Sequence, residues 1–143
     1  MIIADTSALY AAFDSAQPEH VPAAMVLDLG KMIVSPLVVT ELDHLVHRDL
    51  GFSAAMAVAE ALTDRMADGQ YKLAELKHTD LAAAAQVRAK YESLRLDLAD
   101  CIGVVLADRY RTNEIFTLDQ RDYRAITPLT PGLDTFRVLP ADL

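Results

Sequence analysis

Three short, largely apolar runs constrain this chain more than any other feature: Met1-Ile2-Ile3-Ala4, Met32-Ile33-Val34-Ser35 and Glu114-Ile115-Phe116-Thr117-Leu118. The first stops at Asp5-Thr6-Ser7, the second at Pro36 and the third at Asp119. Runs this short, apolar without alternation, predict strands buried on both faces. Strands of that kind need helices above and below them, so the segments between the runs have to be helical.

Those segments carry the required signals. A first helix is expected from about Ala8 to Phe13. Pro18 suits the first turn of a second, whose apolar Val21, Ala24, Met25 and Leu29 share one face before Gly30 ends it. Pro36 opens a third, with Val38, Leu42, Leu45 and Val46 as its apolar stripe and an end near Gly51. Ser53 is expected to cap a fourth running to about Ala67, and Asp68-Gly69 turns the chain into a strand over Tyr71 to Leu76. Thr79 or Asp80 caps a fifth helix reaching about Leu94, and Asp97 begins a sixth from Leu98 to about Arg111. Strands over Glu114 to Leu118 and Phe136 to Leu139 complete the series. The pattern predicts an α/β fold with a mainly parallel, short-stranded central sheet. No repeat, linker or composition shift divides residues 1–143, so a single domain is expected.

At 52% hydrophobic residues the chain can bury a core, which excludes a disordered segment or a disulfide-stapled miniature. Its net charge of −8 speaks against the usual nucleic-acid binder, which meets phosphates with a basic face. The single cysteine, Cys101, can form no internal disulfide and no thiolate zinc site. Only four residues precede Asp5, too few for a signal peptide, and charged side chains are never separated by more than ten residues, too few for a membrane span. A soluble cytoplasmic protein is the expectation.

In open parallel sheets, ligands bind beyond the carboxyl ends of the strands. Asp5 and Asp119 both stand there. Asp100 falls three residues into a predicted helix, where the unpaired backbone N–H groups and the helix dipole are expected to keep it ionised, and Glu41 lies between Leu37 and Leu45 on a largely apolar helix face. Carboxylates converging on one crevice need a counter-charge, and hard oxygen donors favour Mg²⁺ or Mn²⁺. Such an ion serves phosphodiester hydrolysis. Each acid also has a plainer reading: Asp5 and Asp119 as helix caps or turn residues, Asp97 as the cap of its helix with Asp100 facing inward, and Glu41 as a solvated or Arg-paired surface group.

Taken together, Ile3-Ala4-Asp5-Thr6-Ser7-Ala8-Leu9, Val38-Val39-Thr40-Glu41-Leu42, Leu98-Ala99-Asp100-Cys101-Ile102 and Ile115-Phe116-Thr117-Leu118-Asp119 resemble, in order and spacing, the four acidic motifs of PIN-domain ribonucleases. The likeness runs from Ile2 to about Leu139, and the chain's length looks most like VapC-type toxins of bacterial toxin–antitoxin pairs. The resemblance implies a PIN-like three-layer α/β/α domain in which Asp5, Glu41, Asp100 and Asp119 form the catalytic, metal-binding cluster. It also implies supporting roles for Thr6 and Thr117, with Asp97 and Asp122 as less secure additional acids. The implied chemistry is endoribonucleolytic: one or two Mg²⁺ or Mn²⁺ ions and an activated water cut RNA, leaving a 5′-phosphate and a 3′-hydroxyl. Implied partners are RNA, a second copy in a homodimer, and a cognate protein antitoxin that places an Arg or Lys among the acids.

Other residues invite functional readings. Glu41-x-x-His44, with His47 nearby, copies half of a di-iron motif whose second half is missing. Cys101 points about 100° away from Asp100 on a helix and reads as core. Arg109, Arg111, Arg121 and Arg124 are the candidates for RNA phosphate contacts, against a default of solvated surface. Tyr123 and Phe136 are aromatic enough to stack on a base, with core burial the plainer reading. Two other functions compete: a PIN nuclease of RNA maturation or decay without an antitoxin, and a non-enzymatic regulatory module with an acidic pocket. The second expects paired acids near the first strand and a late Lys, and neither is present. Four of the negative charges belong to the proposed crevice, and two divalent ions would halve the net charge of −8, so the acidity becomes part of the metal hypothesis.

Overall fold

The computed structural model describes residues 1–143. Five three-residue strands, β1 (Ile2–Ala4), β2 (Met32–Val34), β3 (Tyr71–Leu73), β4 (Glu114–Phe116) and β5 (Arg137–Leu139), pair in the order β3-β2-β1-β4-β5. Every pairing is parallel. Seven helices connect them: α1 (Thr6–Phe13), α2 (His20–Val26), α3 (Pro36–Leu50), α4 (Phe52–Ala67), α5 (His78–Lys90), α6 (Leu98–Arg109) and α7 (Gln120–Ala125), with a 3₁₀ turn at Glu92–Leu94.

The two-fold alternation along each strand sends side chains to opposite layers. Ile2, Ala4, Met32, Val34, Phe116 and Leu139 pack against α1 to α4, while Ile3, Ile33, Ile115 and Val138 pack against α5 to α7. Both neighbours are apolar, so these strands show unbroken apolar runs.

Helix ends follow local chemistry. Ser35 caps α3 by accepting from the Leu37 amide, with Pro36 in the first turn. Gly51, at φ 97°, ends α3 and starts α4 in one residue, a backbone turn that favours glycine. Ser53 therefore lies inside α4 and does not cap it. The expected strand over Tyr71 to Leu76 stops at Leu73, because β3 is an edge strand with Lys72 and Leu73 exposed. At α5 the Lys77 amide donates to Asp80 Oδ2 at 2.9 Å, so Asp80 closes the first turn from inside the helix.

The second helix corrects the sequence reading. It begins at His20, and its buried residues are Ala23 and Val26, whereas Val21, Met25 and Leu29 are exposed. Small Ala23 lets α2 approach α1 closely, and His20 Nδ1 meets the Ala11 carbonyl at 2.8 Å. That docking turns the longer apolar face outward.

Successive strands β1, β2 and β3 build outward on one side, and the chain then crosses back to lay β4 on the other side of β1. The order reverses between β1 and β4, and crevices form at such switch points.

Candidate active site

Asp5 and Asp119 follow the two strands flanking the switch point. Asp5 stands where a cap would, yet its carboxylate caps nothing. Its Oδ2 instead accepts the Thr117 hydroxyl at 2.6 Å and the Ser7 hydroxyl at 3.2 Å. Asp5 is only 9% exposed, and burial raises its carboxyl above the usual range, while the Thr117 and Ser7 hydroxyls oppose the rise.

Asp119 does cap. Its Oδ1 accepts the Asp122 amide at 3.3 Å, starting α7, and its own amide donates to Thr117 Oγ1 at 3.0 Å. At α6, Asp97 Oδ1 accepts the Asp100 amide at 2.9 Å, which places Asp100 in the first turn. Burial, and then the charges of Asp5, Asp97 and Asp119, push the Asp100 carboxyl up to about 8, so the expectation that the helix end keeps it ionised is corrected: desolvation and like charges outweigh the dipole. Burial also raises Glu41, seconded by Asp97 and opposed by Thr6. Asp122 is raised by burial and by Asp119.

These shifts trace one shared field. Asp5, Glu41, Asp100 and Asp122 all feel the charge of Asp97. Asp5, Glu41, Asp97, Asp100, Asp119 and Asp122 thus lie within electrostatic reach of one another. None of the chain's salt bridges involves any of them. The carboxylates do not form a closed cage, since no three His, Cys, Asp or Glu side chains converge in ligating geometry.

A hard divalent cation fits this donor set. None of these acids is held in a salt bridge, and the hydroxyl of buried Thr6 stands beside Glu41, whose carboxyl it lowers.

The four candidate arginines separate. Arg121, exposed in the first turn of α7, belongs to no ion pair and lowers the carboxyl of neighbouring Asp122 by its charge. Arg109 pairs with Asp80 at 2.7 Å and donates to the Glu75 carbonyl at 2.8 Å. A cavity of about 450 Å³ lies there, lined by Lys72, Lys77, Asp80, Arg109 and Tyr110, and none of the six acids borders it. Arg111 follows the far end of α6, about 16 Å of helix from Asp100. Arg124 is held by Asp142 at 2.6 Å.

His44 and His47 are exposed, and His47 meets the Phe52 ring edge-on. Cys101 is fully buried, and burial pushes its thiol to about 11. Tyr123 and Phe136 are buried against each other in a T-shaped contact. The residue that sequence reasoning passes over is Ser7. Its one visible signal is its place two residues beyond Asp5.

Comparisons with known proteins bear on the family and the fold. The PIN domain family model matches residues 2–127. Ribonuclease VapC26 of Mycobacterium tuberculosis is 42% identical over 141 residues, which covers 97% of this chain and 100% of that protein. Among solved structures, Mycobacterium tuberculosis VapC20, a sarcin-ricin loop cleaving toxin, superposes with a TM-score of 0.75 at 17% identity, covering 85% of this chain and 92% of that one. A toxin–antitoxin complex from Klebsiella pneumoniae gives a TM-score of 0.61 at 19% identity, covering 91% of this chain and 99% of that one. These two structures bear on the fold, a three-layer α/β/α arrangement around the parallel sheet.

Proposed function

The chain belongs to the PIN-domain family, and from that premise we propose that it is a Mg²⁺- or Mn²⁺-dependent endoribonuclease, the toxin of a type II toxin–antitoxin pair. One observation carries the reading: six carboxylates stand within electrostatic reach of one another beside the switch point, and none of them is held in a salt bridge.

Asp5, Glu41, Asp100 and Asp119 would hold one or two ions. A divalent cation bound there supplies charge stabilisation at the scissile phosphate and a water acidified for in-line attack. Asp5 offers its Oδ1, since its Oδ2 is committed to the Thr117 and Ser7 hydroxyls. Capping hydrogen bonds fix Asp100 and Asp119 at the starts of α6 and α7, and Asp97 and Asp122 add negative potential around them. Arg121 stands in the first turn of α7 to take an RNA phosphate beside the acids.

The wider reading includes a cytoplasmic homodimer silenced by an antitoxin. It is supported by the likeness to a toxin–antitoxin complex and by the fact that no helix is long and apolar enough to cross a membrane. An antitoxin Arg in the crevice would pair bidentately with carboxylate and displace the metal's charge.

The test is cleavage of structured RNA by the purified protein. Activity is expected with Mg²⁺ or Mn²⁺ and should vanish with chelator or with Asp5→Asn; robust cleavage by Asp5→Asn overturns the site. Induction of the protein alone should arrest bacterial growth, and unimpaired growth overturns the toxin reading.

A further inference from the structure

We infer that Arg95, with Arg88 beside it, forms a second seat for an RNA phosphate, next to the start of α6 and apart from Arg121. The inference rests on the reading of the chain as a ribonuclease.

Most of the 13 Lys and Arg side chains are either engaged or remote from the acids. Arg48, Arg109, Arg124 and Arg137 are held in salt bridges, and Arg65, Lys72 and Lys90 stand over tyrosine rings. Lys31 precedes β2, at the opposite end of the sheet from Asp5 and Asp119, which follow their strands. Lys77 lines the cavity beside Arg109, and Arg111 follows the far end of α6. Arg88, Arg95 and Arg121 remain.

Arg88 and Arg95 meet where α5 gives way to α6. They line a cavity of about 250 Å³ together with Glu92 and Leu96, and neither belongs to a salt bridge. Two guanidinium groups against one carboxylate leave the cavity positive. Arg88 Nε donates to the Leu96 carbonyl at 3.0 Å, which fixes the plane of the group and leaves its two terminal nitrogens to fork onto a phosphate. Arg95 is exposed and precedes Asp97 by two residues, so their α-carbons are at most about 7 Å apart. It ends the 3₁₀ turn in the left-handed conformation, at φ 55° and ψ 41°. That conformation favours glycine, so the backbone supplies no reason for an arginine there. The substrate supplies one: the acids repel an RNA chain, and a cation beside them offsets the repulsion for phosphates flanking the one that is cut.

Filter binding of a hairpin RNA across a salt series tests the seat, in an Asp5→Asn background so that RNA is held without being cut. Arg95→Gly, which suits the left-handed backbone, should melt close to its parent yet bind RNA about threefold or more weakly, with a salt slope shallower by about one. Adding Arg88→Ala should weaken binding further, by a similar factor for hairpins of different sequence. Glu92→Gln removes only the negative charge of the cavity and should tighten binding. In cleavage with Mn²⁺, Arg95→Gly alone should raise KM and leave kcat unchanged. Unaltered affinity and salt slope in folded Arg95→Gly, or a loss confined to kcat, overturns the seat. Wild-type protein that neither binds nor cuts RNA overturns the ribonuclease reading itself, so the two failures are distinguishable.

Discussion

Gly103 and Tyr123 occupy one space: a β-carbon added to Gly103 would lie 2.9 Å from Tyr123 Oη. Tyr123, buried in α7, thus packs directly on the backbone of α6, where its hydroxyl approaches the Asp100 carbonyl at 3.5 Å. The close approach sets how far the acids at the start of α6 stand from those at the start of α7.

Gly103→Ala should therefore destabilise the fold by about 1–3 kcal/mol through overpacking. Urea denaturation measures this. Tyr123→Phe removes the colliding oxygen, so the double variant should be more stable than Gly103→Ala alone. A double variant no more stable than the single would show that the collision is relieved elsewhere.

The raised Asp100 carboxyl ties metal-free stability to pH. Folded Asp100 titrates at about 8, against 3.8 for the unperturbed group, so between those values the folded state holds a proton that the unfolded state has released. Stability in the presence of chelator should fall as pH rises from about 4 to about 8. Asp100→Asn should flatten that slope and melt higher than wild type at pH 8 in EDTA. Thermal melting across this range, with and without Mn²⁺, provides the check, with Mn²⁺ stabilising the wild type most at the alkaline end.

Among the arginines, Arg121 is expected to act on RNA. Arg121→Ala should raise KM for RNA several-fold, shallow the salt dependence of binding and leave the melting temperature close to wild type. Arg109→Ala and Arg124→Ala remove surface ion pairs with Asp80 and Asp142, and each should change stability little and leave RNA binding unaltered. Filter binding over a salt series together with melting curves separates the two kinds of effect.

Cys101 adjoins an acidic site residue, yet its buried thiol, raised to about 11, should be inert. Native protein is expected to react with a thiol-specific disulfide reagent only as fast as it unfolds. Rapid labelling of the folded protein would show that the start of α6 opens.

Much of the site is legible in the amino-acid sequence. Asp5, Asp100 and Asp119 occupy local sequence contexts, a strand end or a first helical turn, that hydrophobic pattern and capping chemistry identify within a few residues. The arginines are legible only as a cluster in sequence, because whether a guanidinium is free depends on partners such as Asp80 and Asp142, 29 and 18 positions away. Ser7 carries almost no signal, since a serine near a helix start is common and its partners Thr117 and Leu118 lie more than a hundred residues downstream.

Local periodicity by itself determined the strands, most helices and the acids at their ends, because those features follow from a few neighbouring residues and the need to bury short apolar runs on both faces. Tertiary structure alone decided which face of α2 turns inward, how close α6 comes to α7 at Gly103, and that Ser7 and Thr117 grip the same carboxylate oxygen. Those outcomes depend on packing and hydrogen bonding between segments far apart in the chain, and no local pattern encodes the distance between them.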